Sequence, residues 1–318
     1  MSRRMWLVLF QASFSVAVVV YLIRFLDWSA IASLLRDGSL YRLWPGPLIL
    51  LVGLVMAANR WRLVLAALGI ALRSSSALYL YLVGTFYGVM LPGVLGGDAV
   101  RVALCAARQR GAVSRVLASV AIERGLGLCG VALVGSLGVL ALNDALRRKL
   151  GSEALLIAPT IVASLLVLIV VLSGAPRLLK WLGGRFVGQR LDGLVVLYQK
   201  LWSLPSGTLL STLLLSTLFQ AADILVFYYF AHVMALELPL ALCLVVIPII
   251  YLSTVLPISL GGIGVREGVM VWLLGRVGVP VADAVLLAFL MYLNRVALAL
   301  IGGAVAALHT LIGAGKRT

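Results

Sequence analysis

Apolar residues run along this chain in long unbroken stretches, and the polar positions fall between them rather than alternating with them. Eight such stretches fit transmembrane helices, at roughly 6–25, 45–68, 76–91, 113–142, 153–173, 207–235, 239–256 and 280–312. A bilayer core about 30 Å thick asks for about twenty apolar residues per helical crossing. The pattern therefore predicts an all-α polytopic integral membrane protein, a single membrane domain over 1–318. The Ser2-Arg3-Arg4 start reads as the flank of a retained first span. Its apolar run is too long for a signal peptide, and no small-residue cleavage site follows it.

One stretch breaks the pattern. Between Ala175 and Pro205, basic and apolar residues alternate around Trp181 and Trp202. That mixture predicts an amphipathic helix lying in the membrane interface. Lys and Arg counted over alternate loops place both termini outside by the positive-inside rule, whereas the short basic N-terminus argues the opposite.

A repeat organises the rest. "LPGVLGGDAVR" begins at Leu91 and "LPISLGGIGVR" at Leu256, with seven of eleven positions identical. Each phrase follows a span, and each precedes a long apolar span interrupted by a polar pair, Glu123-Arg124 or Asn294-Arg295. Two repeated halves are expected, at 1–150 and 151–318. Four spans per half make the copies parallel, while an inverted pair needs an odd number, so the handedness stays open. Proline lacks an amide hydrogen and glycine loosens the backbone, so each Leu-Pro-x-x-x-Gly-Gly segment predicts a re-entrant or broken helix buried in the bundle. Helix is expected to resume at Asp98 and at Ile263.

Broken helices mark substrate sites in transporters, because a free helix N-terminus attracts anions. Gly96, Gly97, Gly261 and Gly262 would bring that backbone close, beside Arg101 and Arg266. Arg124 and Arg295 interrupt later spans. Asp98, Glu123, Asp223 and Glu267 are the carboxylates placed to pair those arginines or to carry a proton. A charge at the centre of a span costs about 2.5–3.5 kcal/mol on insertion scales, so these groups must pair or face water. Gln220 and Asp223 share one helix face. Arg60 and Arg62, flanking Trp61, read as interfacial or snorkelling side chains.

Composition narrows the chemistry. Hydrophobic residues make up 63% of the chain and charged ones 12%, about half the share of a soluble domain. The net charge of +15 sits in short connections with no aromatic-basic platform, which speaks for lipid contact and cytoplasmic anchoring and against nucleic acid. Three scattered cysteines and two histidines offer neither a metal site nor a disulfide framework, and no cofactor motif occurs.

"LPGVLGGDAVR", Glu123-Arg124 and "LPISLGGIGVREG", in that order, resemble the transmembrane, flippase-like domain of lysylphosphatidylglycerol synthases and their stand-alone relatives. The resemblance runs from about Ala57, including Trp61-Arg62, to the C-terminus. One position departs from it: many relatives carry Asn four residues before the first proline, where this chain has Gly88. The resemblance implies a flippase for an anionic or aminoacylated phospholipid, or for a polyprenyl-phosphate-linked sugar, in the bacterial inner membrane. The arginines would hold the head group. Two other readings follow from it. One is a non-catalytic accessory or scaffold subunit beside a membrane enzyme partner. The other is a membrane-embedded transferase, for which no stretch of the sequence reads as the synthases' cytosolic transfer domain. Neither the oligomeric state nor the identity of the lipid is written in the residues.

Overall fold

The computed structural model describes residues 24, 39–90, 96–107, 112–152, 204–255 and 262–315. Among these the ordered elements are helical. After a 3-10 turn at Ser39–Leu43, the helices are α1 Pro45–Ala67, α2 Ser74–Met90, α3 Gly96–Ala107, α4 Val113–Ala141, α5 Ser206–Val233, α6 Leu240–Val255, α7 Val265–Arg276 and α8 Val281–Gly315. A further helical stretch occupies 144–152. Six of the expected spans have their helix here; those at 6–25 and 153–173 lie outside the described residues, as does 175–205 up to Ser203.

Four helices, α1, α4, α5 and α8, are long and apolar enough to cross a membrane. Helices α2 and α6, of 17 and 16 residues, reach only about 25 Å at 1.5 Å per residue. Each reaches the residue before a Leu-Pro phrase, and a helix of 12 residues begins inside each phrase. Helix α6 is buried on nearly every side, with Leu242, Cys243, Val245, Val246, Ile249 and Ile250 all in the main core. An apolar residue on every face is what a central helix requires.

The packing partners are exchanged across the two phrases. Helix α2 packs chiefly on α8, α6 chiefly on α4, and α1 on α5. In lipid the hydrophobic effect does not drive helices together, so close backbone approach through small residues must. Gly53 of α1 lies against Ala222 of α5, Gly138 of α4 against the Leu244 backbone of α6, and Gly302 of α8 against the Leu82 carbonyl of α2.

Helix ends explain part of the cationic excess. The Arg115 guanidinium donates to the Leu68 carbonyl at 3.4 Å, Arg147 to Val139 and Leu142 at 3.0 and 3.1 Å, and Arg276 to Leu150 at 3.0 Å. These arginines satisfy orphan carbonyls and sit at the negative end of a helix dipole. Helices α1 and α5 also close with the same paired bonds: Gly69 and Ile70 donate to Ala66 and Leu65, and Ala235 and Leu236 donate to His232 and Ala231. Gly69 takes φ +77° freely, but Ala235 is held at φ +56°.

Two stability effects of opposite sign follow. Ala235→Gly is expected to stabilise the protein by about 1 kcal/mol, the strain of a side chain in the left-handed region. Gly302→Ala drives a methyl group into the Leu82 carbonyl and is expected to destabilise by about 1–3 kcal/mol. Thermal unfolding in detergent checks both, with Tm rising in the first variant and falling in the second.

Candidate functional site

The site starts from helical spacing. On α1, Gly53, Ala57, Arg60 and Val64 recur every three or four residues and all are buried, so the cation is carried on the packing stripe itself. On α4, Ser119 and Glu123 stand one turn apart, and on α5 Thr212, Ser216, Gln220 and Asp223 form a buried polar stripe. These faces turn toward one another and toward Tyr81 of α2 and Arg101 of α3.

Glu123, 1% exposed, is the centre of the arrangement. Its Oε1 accepts from Arg60 Nη2 at 2.7 Å and Nε at 3.2 Å, and from the Tyr81 hydroxyl. Its Oε2 accepts from Arg101 Nη2 at 3.0 Å. Arg60 Nη1 donates onward to Ser216 Oγ at 3.1 Å. Arg101 Nη2 also donates to Asp98 Oδ1 at 2.9 Å, and the other oxygen of Asp98 accepts from Arg124 Nε at 2.8 Å. The result is a continuous alternation, Arg60, Glu123, Arg101, Asp98, Arg124, that spans α1, α3 and α4, with Tyr81 of α2 and Ser216 of α5 joined to it.

Arg101 is 2% exposed. Its guanidinium lies 4.5 Å from the Trp61 ring centre and 4.1 Å from that of Tyr81, while the Trp61 indole nitrogen donates to Ser119 Oγ at 2.9 Å. Aromatic faces stabilise a cation without consuming its donors. Among the described residues, the Nε and Nη1 groups of Arg101 have no hydrogen-bond partner. Leaving a buried donor unmatched is unfavourable, and such a group in a native site calls for a ligand or water.

The second phrase is built differently. Gly262 and Gly264 adopt φ +80° and +88°, the left-handed region, and α7 starts after them. Glu267 accepts the Gly264 amide at 2.7 Å through Oε2 and Arg266 Nη2 at 2.7 Å and Nε at 3.0 Å through Oε1. It is thus the helix cap as well as the counter-ion of Arg266. Arg295 of α8 reaches Asp223 of α5 at 3.8 Å.

Three recesses connect these groups. One of about 290 Å³ is lined by Gly84, Gly88, Gly97, Asp98, Arg101, Arg124 and Arg295, among others. A second, of about 240 Å³, has Arg60, Glu123, Asp223 and Tyr251 in its wall and shares Tyr81, Thr85, Asp98, Arg124 and Arg295 with the first. A smaller one of about 50 Å³ holds Arg266 with Asp223, Tyr251 and Arg295. Arg295 borders all three.

The expected residues converge, with corrections. Arg101, Arg124, Arg295, Asp98, Glu123 and Asp223 surround the two larger recesses. Arg266 stands apart from Arg101, in the small recess. The chain is already helical at Gly96, ahead of the expected Asp98, and helix resumes at Val265 rather than Ile263. Gly97 lies against the Gly84 carbonyl, so it serves close packing of α3 on α2. Gly261, Leu91–Leu95 and Leu256–Leu260 lie outside the described residues. Arg60 is buried and paired; only Arg62, bonded to Asn59 at 3.3 Å, keeps a partly exposed place. Arg60 keeps helical spacing from Gly53 and Ala57, a signal that becomes readable only once the packing face of α1 is known. Tyr81, Ser216 and Tyr251 carry no comparable mark, being ordinary polar residues in apolar spans. Gly88, the position that departs from the resemblance, borders the larger recess, and a Cβ there would stand 3.6 Å from the Gly97 Cα.

Removing the shared anion leaves buried Arg60 without a counter-ion and Arg101 with Asp98 alone. Glu123→Gln is expected to destabilise by about 3–5 kcal/mol. Asp223→Asn, whose pair with Arg295 is long and partly solvated, is expected to cost under about 1 kcal/mol. Chemical or thermal unfolding of the two variants side by side reads the difference.

No curated protein matches the chain. Residues 8–303 match the family described as the lysylphosphatidylglycerol synthase TM region. With a helical membrane bundle, a paired phrase and an arginine-lined interior, the chain belongs to the lysylphosphatidylglycerol synthase transmembrane family.

Proposed function

We propose that this multi-pass membrane protein is a lipid flippase of the bacterial inner membrane. Its cargo is an anionic or aminoacylated phospholipid, or a polyprenyl-phosphate-linked sugar, and it performs no covalent chemistry. Arg101, Arg124 and Arg295 hold the head-group phosphate, with Asp98 and Glu123 as counter-ions in the empty site and Arg266 in the neighbouring recess. The two halves are read as an internal repeat, on the matched phrases and the exchanged packing of α2 with α8 and α6 with α4.

One observation carries the reading: Arg101, almost fully buried, borders a recess of about 290 Å³ with two donors unmatched. A guanidinium grips phosphate through two parallel donors and stays charged when desolvated, which lysine does only as a point charge. Asp98 bridges Arg101 and Arg124 in the way a phosphate would, so ligand and carboxylate compete for the same donors. Arg295 and Arg124 are partly exposed to the recess, which keeps them reachable.

The test is lipid translocation by the purified protein in vesicles, followed by quenching of a fluorescent phosphatidylglycerol in the outer leaflet. Wild type is expected to expose inner-leaflet lipid, and Arg101→Lys to slow that by about tenfold to a hundredfold, the worth of one charge-assisted contact. Wild-type rates in both Arg101→Lys and Arg124→Gln, at equal reconstitution, would remove the head-group role.

A further inference from the structure

We infer that the site is balanced for a head group bearing a single negative charge, a phosphodiester, and that it discriminates against phosphomonoesters and diphosphates. The inference rests on the head-group reading above and narrows it to a charge state.

The balance is visible in the side chains. Among the described residues, the ionisable groups that line the three recesses or bond directly to their walls are five arginines and four carboxylates, setting the phenolic Tyr81 and Tyr251 aside. The arginines are Arg60, Arg101, Arg124, Arg266 and Arg295; the carboxylates are Asp98, Glu123, Asp223 and Glu267. Each carboxylate is engaged by at least one arginine, so the cluster carries one uncompensated positive charge. In a low-dielectric bundle a net charge is unfavourable, and a ligand that cancels it is favoured. A phosphodiester cancels it. A phosphate group with two charges leaves one in excess, next to Asp98 and Glu123, where like charges repel.

The unmatched donors sit where this balance is reached. Arg101 Nε and Nη1 face no acceptor, while its Nη2 is shared between Glu123 and Asp98. The two unmatched N–H groups lie on different sides of the guanidinium, and each edge that presents parallel donors includes Nη2, so a phosphate that takes Nη1 competes with Asp98 for Nη2. Arg266 gives Nε and Nη2 to Glu267. Among the described residues, Arg101 is the phrase arginine with buried donors left unmatched, which suits one phosphate rather than two.

Phospholipids and polyprenyl-phosphate sugars share this chemistry, so the test separates them. Short-chain lipids are titrated onto the detergent-purified full chain, and bound lipid is read by native mass spectrometry. The first pair is phosphatidylglycerol and phosphatidic acid at pH 5 and pH 8, because a phosphomonoester takes its second charge at about pH 6. The two are expected to bind alike at pH 5, with phosphatidic acid weaker by about tenfold or more at pH 8 and phosphatidylglycerol unchanged. The second pair is a polyprenyl-phosphate hexose and its diphosphate counterpart, and the monophosphate is expected to bind tighter by a similar factor. The diester that binds more tightly across the pairs names the source of the ligand.

Asp98→Asn raises the excess charge to two and is expected to abolish the gap between phosphatidic acid and phosphatidylglycerol at pH 8. Equal or tighter binding of phosphatidic acid and of the diphosphate lipid to the wild-type protein at pH 8 would overturn the inference, with no variant needed. The same lipids in the vesicle assay keep the two claims apart. A preference for diesters in binding without any translocation sinks the flippase reading and leaves the charge rule standing. Translocation of all the lipids without preference does the reverse.

Discussion

The structure depends on one carboxylate. Glu123 accepts from Arg60 of α1, Arg101 of α3 and Tyr81 of α2 while it is itself fixed on α4, so four helices meet at two oxygen atoms. In water such a cluster would contribute little, because each bond replaces one to solvent. Inside a bundle surrounded by lipid a fully buried pair has little solvent to return to, and separating it leaves a charge in a low-dielectric interior. Paired this way, the charges cease to be a liability and become a specification. In the observed register Asp98, Glu123, Asp223 and Glu267 each meet an arginine.

That economy also leaves something over. Neutralising Arg60 and fixing Arg101 uses three of the donor atoms facing Glu123 and Asp98 and leaves two on Arg101 unmatched. Trp61 and Tyr81 hold the guanidinium between their faces, so it stays in position without those bonds. The second phrase spends its glutamate otherwise: Glu267 caps α7 and binds Arg266 at once. Among the described residues the first phrase leaves donors of Arg101 unmatched and the second occupies Arg266 with Glu267, although seven of eleven letters agree. Two of the four differences bear on this. Asp98, present only in the first copy, reaches Arg101 and Arg124, while Gly264 in the second copy supplies the left-handed turn that Glu267 caps.

Much of this was legible beforehand, for a physical reason. Apolar length is a strong signal, and the helices over 45–67, 113–141 and 206–233 agree with the spans at 45–68, 113–142 and 207–235 within a residue or two. Charges inside spans are rare and costly, so Glu123, Arg124, Asp223 and Arg295 named themselves. Arg60 did not, because an arginine beside tryptophan near a span end looks the same whether it snorkels outward or turns inward. The direction depends on which helix packs alongside, and that is a tertiary fact. For the same reason the close packing at Gly97 was not legible, since nothing local announces that the Gly84 carbonyl stands opposite. Tyr81 and Ser216 gain their roles only from partners 42 and 156 positions distant from them along the chain.

The central claim is that the donors left free on Arg101 belong to a lipid phosphate. The most direct measurement is a cryo-electron microscopy map of the protein in lipid nanodiscs containing a phosphatidylglycerol with a heavy-atom-labelled head group. The account predicts head-group density in the recess between α2, α3 and α8, within hydrogen-bond distance of the guanidinium groups of Arg101 and Arg124. A recess filled only by water, with labelled head groups confined to the outer surface of the bundle, would contradict it.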